Sequence, residues 1–165
     1  MTREEFIGLV PDVQEPLRRF LLVLCEGDAA SADDLAQEAL VSAYVASGTF
    51  RGASSFRTWV FRIAYHCFID RLRARKIRME PLDTFSEETL PAPDLSDGGF
   101  RHEALYRALR QLPDKERAAL LLFYMEDRPV KEIASILEIP AGSVRAYLTR
   151  GRGRIKNYLE KWKTR

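Results

Sequence analysis

Apolar residues recur along most of the chain at intervals of three and four, the pattern of helices with one buried face. Such windows run over residues 11–26, 31–47 and 55–78, then over 100–111 and 114–125, a short stretch after Pro129, and a last one from 141 towards 162. No stretch shows sustained period-two alternation with β-branched enrichment, so the pattern predicts no strand. The second window places Leu35, Ala39 and Tyr44 near one face, with Gln37, Glu38 and Val41 on another. The third puts Phe56, Trp59, Val60, Ile63 and Cys67 on its apolar side and Arg62, His66 and Arg73 on its polar side. In the last, Val144, Leu148, Ile155 and Leu159 form an apolar stripe, and Arg145, Thr149, Arg152 and Lys156 line another face.

Local signals set the breaks. Ser31 predicts the cap of the second helix, with Asp33 and Asp34 in its first turn. Gly48 and Gly52 punctuate a turn, and Ser54 or Ser55 caps the third helix. Pro81, Pro91, Pro93, Gly98 and Gly99 break any helix, so residues 81–99 read as a linker; Leu82, Phe85 and Leu90 leave open a partly ordered strap. Pro113 and Asp114 start a helix whose first turn Arg117 completes. A short helix, the turn Glu138-Ile139-Pro140 and a long basic helix form a helix-turn-helix pattern. The fold class is therefore all-α: two small helical domains, 1–80 and 100–165, joined by an acidic linker, 81–99. Gly151 and Gly153 lower the last helix's propensity; they either fray it or admit close backbone approach.

Composition narrows the function classes. The chain has 165 residues with 46% hydrophobic and 30% charged, enough for folded cores. No apolar run nears the roughly 20 residues of a membrane span, and Met1-Thr2-Arg3-Glu4-Glu5 lacks the basic-then-apolar order of a secretory signal. A cytoplasmic protein without membrane insertion is expected. Two cysteines, Cys25 and Cys67, exclude a disulfide scaffold and read as small core residues. With His66 and His102 they lack metal-ligand spacing, so no metal or other cofactor is expected. No nucleophile–base pair or phosphate-cradling loop points to an enzyme.

The net charge of +2 hides a strong segregation. Residues 1–50 carry 3 basic and 9 acidic side chains, a net of −6, and residues 51–80 carry 8 and 2, a net of +6. Residues 81–100 carry none and 5, and residues 101–165 carry 15 and 8, a net of +7. Two basic blocks around an acidic one suggest two polyanion-facing surfaces. Cations beside aromatics in the third helix suit single-stranded nucleic acid. Trp59 and Phe56 read as core, and Phe50, beside the glycines of the turn, as an exposed base contact. A helix that packs on one side and offers cations on the other suits a DNA major groove.

The runs ADDLAQE (32–38) and FRGASSFRTWVFRIAYHCFIDRLRARK (50–76) resemble sigma region 2. The run LPDKERAALLLFYMEDRPVKEIASILEIPAGSVRAYLTRGRGRI (112–155) resembles sigma region 4. In this order, with a linker between, they resemble a bacterial RNA polymerase sigma factor of the extracytoplasmic function (ECF, group four) class. The resemblance implies binding of core RNA polymerase, at the clamp helices of the largest subunit and the flap of the second-largest, and of promoter DNA. The clamp-facing residues would be Asp34, Leu35, Gln37, Glu38, Val41 and Tyr44. The −10 element would meet Phe50, Arg51, Ser54, Arg62, His66 and Arg73. The −35 element would be read by Arg145, Ala146, Thr149 and Arg150, with Ser143, Arg152 and Arg154 near phosphates. The linker would run towards the RNA exit path, and an anti-sigma factor is a common partner in the family.

Departures from the family pattern bear on specificity. His66 stands where Asn is frequent, which predicts an altered −10 preference with a response to pH near neutrality. Ala146 and Thr149 replace larger or more polar residues, and Gly151 and Gly153 stand where Ala is usual. Two other classes fit the same residues less fully. One is a free helix-turn-helix regulator that binds duplex DNA without polymerase. The other is a non-initiating sigma homologue that titrates a partner.

Overall fold

The computed structural model describes residues 1–78 and 99–163, which form two compact units, each with its own core. Seven α-helices and no strand occur among the described residues. The linker assigned to 81–99 lies outside the described residues except for Gly99, which opens a helix.

The first unit is a three-helix bundle of α1 (Arg3–Leu24), α2 (Ala29–Val45) and α3 (Phe56–Arg78), each packed on the other two. Helix α1 begins eight residues before the predicted start at 11. Thr2 and Glu5 form a capping box: the Thr2 hydroxyl accepts from the Glu5 amide at 3.1 Å, and the Glu5 carboxylate accepts from the Thr2 amide at 2.8 Å. Pro11 and Pro16 therefore lie inside the helix. Each removes one amide donor, but the carbonyls released, on Ile7 and Asp12, belong to exposed residues where water can take them. Helix α2 is capped by Asp28, not Ser31. The Asp28 carboxylate accepts from the Ser31 amide at 3.2 Å and from its hydroxyl at 2.7 Å, and the hydroxyl contact is the main cause holding the Asp28 carboxyl below its ordinary range. Ser55 caps α3 by accepting from the Thr58 amide at 3.1 Å.

Small residues let α2 sit deep in the bundle: Ala32, Leu35, Ala39 and Ala43 are fully buried at spacings of 3, 4 and 4. They meet Leu17, Phe20, Leu21 and Leu24 of α1 and Val60, Phe61, Ala64 and Phe68 of α3 in one core, where the Phe20 and Phe61 ring centres lie 5.2 Å apart. The buried face of α3 is thus rotated by about one residue, roughly 100°, from the predicted one. Phe56, Trp59, Ile63 and Cys67 lie half-buried at its margin. Apolar residues cover more than half of this helix's circumference, and packing against two helices selects the arc. Burial pushes the Cys67 thiol above its ordinary range, with Glu38 and Asp70 adding to the rise. Both cysteines are free and half-buried.

In the second unit α4 (Gly99–Arg110), α5 (Asp114–Leu120) and α6 (Val130–Leu137) all pack on α7 (Ala141–Lys163). Helix α5 runs on into a π-helical turn, Leu121–Met125, so the predicted single helix over 114–125 is split by one extra residue per turn. The joint between α4 and α5 is built on Arg117. This arginine is 3% exposed and donates to the carbonyls of Leu109 (2.8 Å), Arg110 (3.1 Å) and Leu112 (2.9 Å) while pairing with Asp114 at 3.2 Å. A buried guanidinium thus closes the carbonyl end of α4, a role its place in the first turn of α5 does not reveal. Glu138 ends α6 in the left-handed conformation (φ 54°), with the Ile139 amide donating back to the Ala134 carbonyl.

Candidate nucleic-acid interface

The polar side of α2 is a continuous exposed strip of Asp34, Gln37, Glu38, Val41 and Val45. Val41 is 57% and Val45 80% exposed, two aliphatic side chains set in water beside acids and an amide. Val45 is absent from the sequence-derived set, although its spacing of four from Val41 signals it. Leu35 must be corrected: it is fully buried in the bundle and cannot touch a partner, so its part is to hold α2 in place. Tyr44 is half-buried, with its ring 5.6 Å from Phe6 and under the Arg3 guanidinium. Glu38 pairs with Arg71 at 3.3 Å and Asp33 with Arg18 at 2.8 Å, surface bridges worth about 0–1 kcal/mol each. Arg71 of α3 is therefore engaged with α2.

The loop before α3 turns at Gly52, whose φ of 73° suits glycine. Arg51 is exposed and Ser54 half-buried. Phe50 is half-buried rather than exposed. Its ring lies 5.0 Å from Trp59 and 6.4 Å from Phe56, and Phe56 in turn meets Phe6 at 5.4 Å. These rings make an aromatic shelf at the entry to α3, so Trp59 is part of a half-open cluster and not core. One turn on, Arg62 is half-buried, while His66 and Arg73 are exposed on the same side of the helix.

In the second unit the first half of α7 divides as its pattern predicts, while Ile155 and Leu159 of the predicted stripe are only half-buried. Val144, Leu148 and Gly151 are buried, and Arg145, Thr149, Arg150, Arg152, Arg154 and Lys156 are exposed. Ser143 and Ala146 are half-buried near the start of the helix. Gly151 is the close-approach glycine: a Cβ there would lie 2.7 Å from Leu120 Cδ1, whereas one on Gly153 would meet nothing within 4 Å. That approach lets α5 press against α7 and brings the Glu116 carboxylate, 3% exposed, to 3.3 Å from Arg154 Nε. The contact is an ion pair that falls short of hydrogen-bond geometry. Arg154 and Arg152, both expected near phosphates, thus have partners within the protein. Arg152 donates from Nε to the Tyr124 hydroxyl and makes cation–π contacts with Phe123 and Tyr124, and Arg150 makes one with Tyr147 at 5.3 Å. Glu116, Phe123 and Tyr124 lie outside the sequence-derived set because they act through α5, not the recognition helix.

Among the described residues no group of three or more His, Cys, Asp and Glu side chains stands where it could hold a metal ion, and no helix is long and apolar enough to cross a membrane. The His102 side chain lies outside the described residues.

Comparison with known proteins matches two family models, "Sigma-70 region 2" over residues 9–77 and "Sigma-70, region 4" over residues 102–155. The chain is 34% identical over 152 residues to the RNA polymerase sigma-H factor of Pseudomonas aeruginosa, covering 85% of this chain and 79% of that protein. It is 32% identical over 146 residues to the ECF RNA polymerase sigma factor SigW of Bacillus subtilis, covering 81% and 78%. In fold it is similar to the sigma factor RpoE solved with the anti-sigma factor NepR from Bartonella quintana, with a TM-score of 0.84, 23% identity and coverage of 95% and 98%. It is similar as well to CnrH solved with the cytosolic domain of CnrY, with a TM-score of 0.71, 20% identity and coverage of 97% and 90%.

Proposed function

The chain belongs to the ECF class of the sigma-70 family of RNA polymerase sigma factors, and we propose that its exposed faces divide the work of promoter-directed initiation as follows. The α2 strip of Asp34, Gln37, Glu38, Val41 and Val45 meets the clamp helices of core polymerase, with Leu35 beneath and Tyr44 at the edge. The loop and α3 receive the −10 element: Phe50 on its aromatic shelf takes a base, and Arg51, Ser54, Arg62, His66 and Arg73 attend the displaced strand. Helix α7 enters the −35 major groove with Ser143, Arg145, Ala146, Thr149 and Arg150, and Arg152 and Arg154 stand by the backbone. The domain limits that go with this division are 1–80 and 100–165.

The observation that carries this reading is the separation on α7. Val144, Leu148 and Gly151 fix one side to the unit, and the opposite side holds Arg145, Thr149 and Arg150 in solvent with no acidic partner among the described residues. Family members are initiation factors, so bond formation belongs to the polymerase and this chain is not an enzyme. It works in the cytoplasm, where polymerase and promoter are. An anti-sigma factor, the kind of partner solved with the Bartonella quintana neighbour, is a further partner.

The test is transcription in vitro with purified core polymerase and genomic DNA, with sequencing of RNA 5′ ends. Start sites sharing two upstream motifs are expected. Arg145→Ala should cut initiation from them by about fivefold to a hundredfold, the weight of one base-reading arginine. Binding to core without specific starts would favour a titrating homologue; failure to bind core, with tight duplex binding, would favour a free regulator.

A further inference from the structure

A π-helical turn at the end of α5 brings two aromatic rings against the polar side of the long basic helix. The Glu126 amide donates to the carbonyl of Leu121, five residues back, and the extra residue turns Phe123 and Tyr124 towards α7. The two rings pack edge to face, 4.9 Å between centres. The Arg152 guanidinium lies 5.5 Å from each ring centre, and its Nε donates to the Tyr124 hydroxyl. Tyr124 is 61% exposed and Arg152 is exposed.

We propose that Tyr124 is a positioning residue for promoter binding, holding Arg152 as a ready clamp for one phosphate of the −35 duplex. This rests on the reading that α7 enters the groove. The hydrogen bond occupies Nε alone. The two terminal nitrogens of Arg152 have no partner among the described residues, and as a planar fork they suit two oxygens of one phosphate. The Tyr124 hydroxyl accepts from Nε and so leaves the fork of terminal nitrogens facing away from it, open to the phosphate. The hydrogen bond and the cation–π contacts, 5.5 Å to each ring centre, restrain the Arg152 side chain, so less rotamer freedom is lost when the phosphate arrives.

Position agrees with this role. Arg152 lies seven residues beyond Arg145 on the same face, about two turns or ~10 Å along the axis. A helix whose first turns read bases meets the backbone at about that distance. Arg154 differs, since its guanidinium is committed to Glu116. The Tyr124–Arg152 pair is exposed, where such contacts add little to folding. The fold therefore gives no strong reason for an exposed tyrosine at this turn, whereas a phosphate gives one.

The experiment measures holoenzyme binding to a promoter fragment taken from the mapped start sites, across a salt series. It compares wild type, Arg145→Ala, Arg152→Ala, Tyr124→Phe and the double variant Tyr124→Phe/Arg152→Ala. Arg152→Ala should weaken binding about tenfold on every −35 sequence and lower the slope of log K against log salt by about 1. Tyr124→Phe should weaken binding about threefold at unchanged melting temperature, and add nothing in the Arg152→Ala background. Wild-type binding by Tyr124→Phe while Arg145→Ala and Arg152→Ala both weaken it overturns the clamp alone. So does an additive double variant, or a loss of binding matched by a lower melting temperature. Full binding by both Arg145→Ala and Arg152→Ala overturns the docking of α7 and the clamp with it.

Discussion

Gly151 lies so close to Leu120 that a β-carbon on it would fall 2.7 Å from the leucine Cδ1 and 3.3 Å from its Cγ. Leu120 is 4% exposed and has little room to retreat. Two effects oppose each other when Gly151 becomes Ala: helix propensity gains about 1 kcal/mol, and overpacking a filled site costs about 1–3 kcal/mol. Gly153, two residues on, has open space and feels only the first. Gly153→Ala is therefore expected to raise stability by about 1 kcal/mol, and Gly151→Ala to lower it by about as much. Urea unfolding of the two variants checks this; equal shifts would show that Leu120 moves aside freely.

Glu116 and Arg154 depend on the same close approach. Arg154→Ala leaves a buried carboxylate without its cation. The cost should be about 2 kcal/mol, below that of a fully enclosed pair because Arg154 is half-exposed. Adding Glu116→Gln should recover part of the loss, since the neutral amide carries a smaller desolvation penalty. Unfolding of the single and double variants measures both effects.

Arg117 closes α4 by donating to three carbonyls from a site 3% exposed. Arg117→Ala leaves those carbonyls short of donors and should cost about 3 kcal/mol or more. Arg117→Lys should recover little, because one ammonium cannot span the fork's geometry. Chemical denaturation followed by helix circular dichroism reports the order wild type, Lys, Ala.

Glu138 holds a left-handed conformation (φ 54°) at the end of α6, where a side chain costs about 1–2 kcal/mol. Glu138→Gly should raise stability by about 1 kcal/mol, with the Ile139-to-Ala134 hydrogen bond kept. A thermal melt showing no rise would mean that the Glu138 side chain contributes as much as its backbone costs.

The helices were legible because each carries its own periodicity, and the break before α7 because Pro140 cannot continue a helix. Legibility failed where the answer depends on a second element. Pro11 reads as a helix start, yet the capping box of Thr2 and Glu5 lies upstream. Ser31 is a good cap by type, but Asp28 reaches its amide from outside. On α3 the apolar arc is wide, and the packing of α1 and α2 chose between two readings of it. Arg152 and Arg154 look alike as basic residues on one helix; Tyr124 and Glu116, on a different element, separate them. Leu35 shows the same limit, since a family motif groups it with surface residues and its burial sets it apart.

That burial makes a sharp test of the α2 surface. Leu35→Ala should lower stability by about 2–5 kcal/mol, as other buried leucines do, and reduce core polymerase binding only through loss of fold. Val41→Ser with Val45→Ser removes exposed side chains and should leave the melting temperature within a degree or two. If the strip meets polymerase, the same pair should weaken core binding about tenfold, because apolar area at the centre of an interface counts most. Gln37→Ala with Glu38→Ala should weaken it too, with a small stability change from the lost Arg71 bridge. Competition binding to core polymerase beside thermal melts separates the outcomes: undiminished binding by the Val41 and Val45 variant at wild-type stability would remove this face of α2 from the polymerase contact.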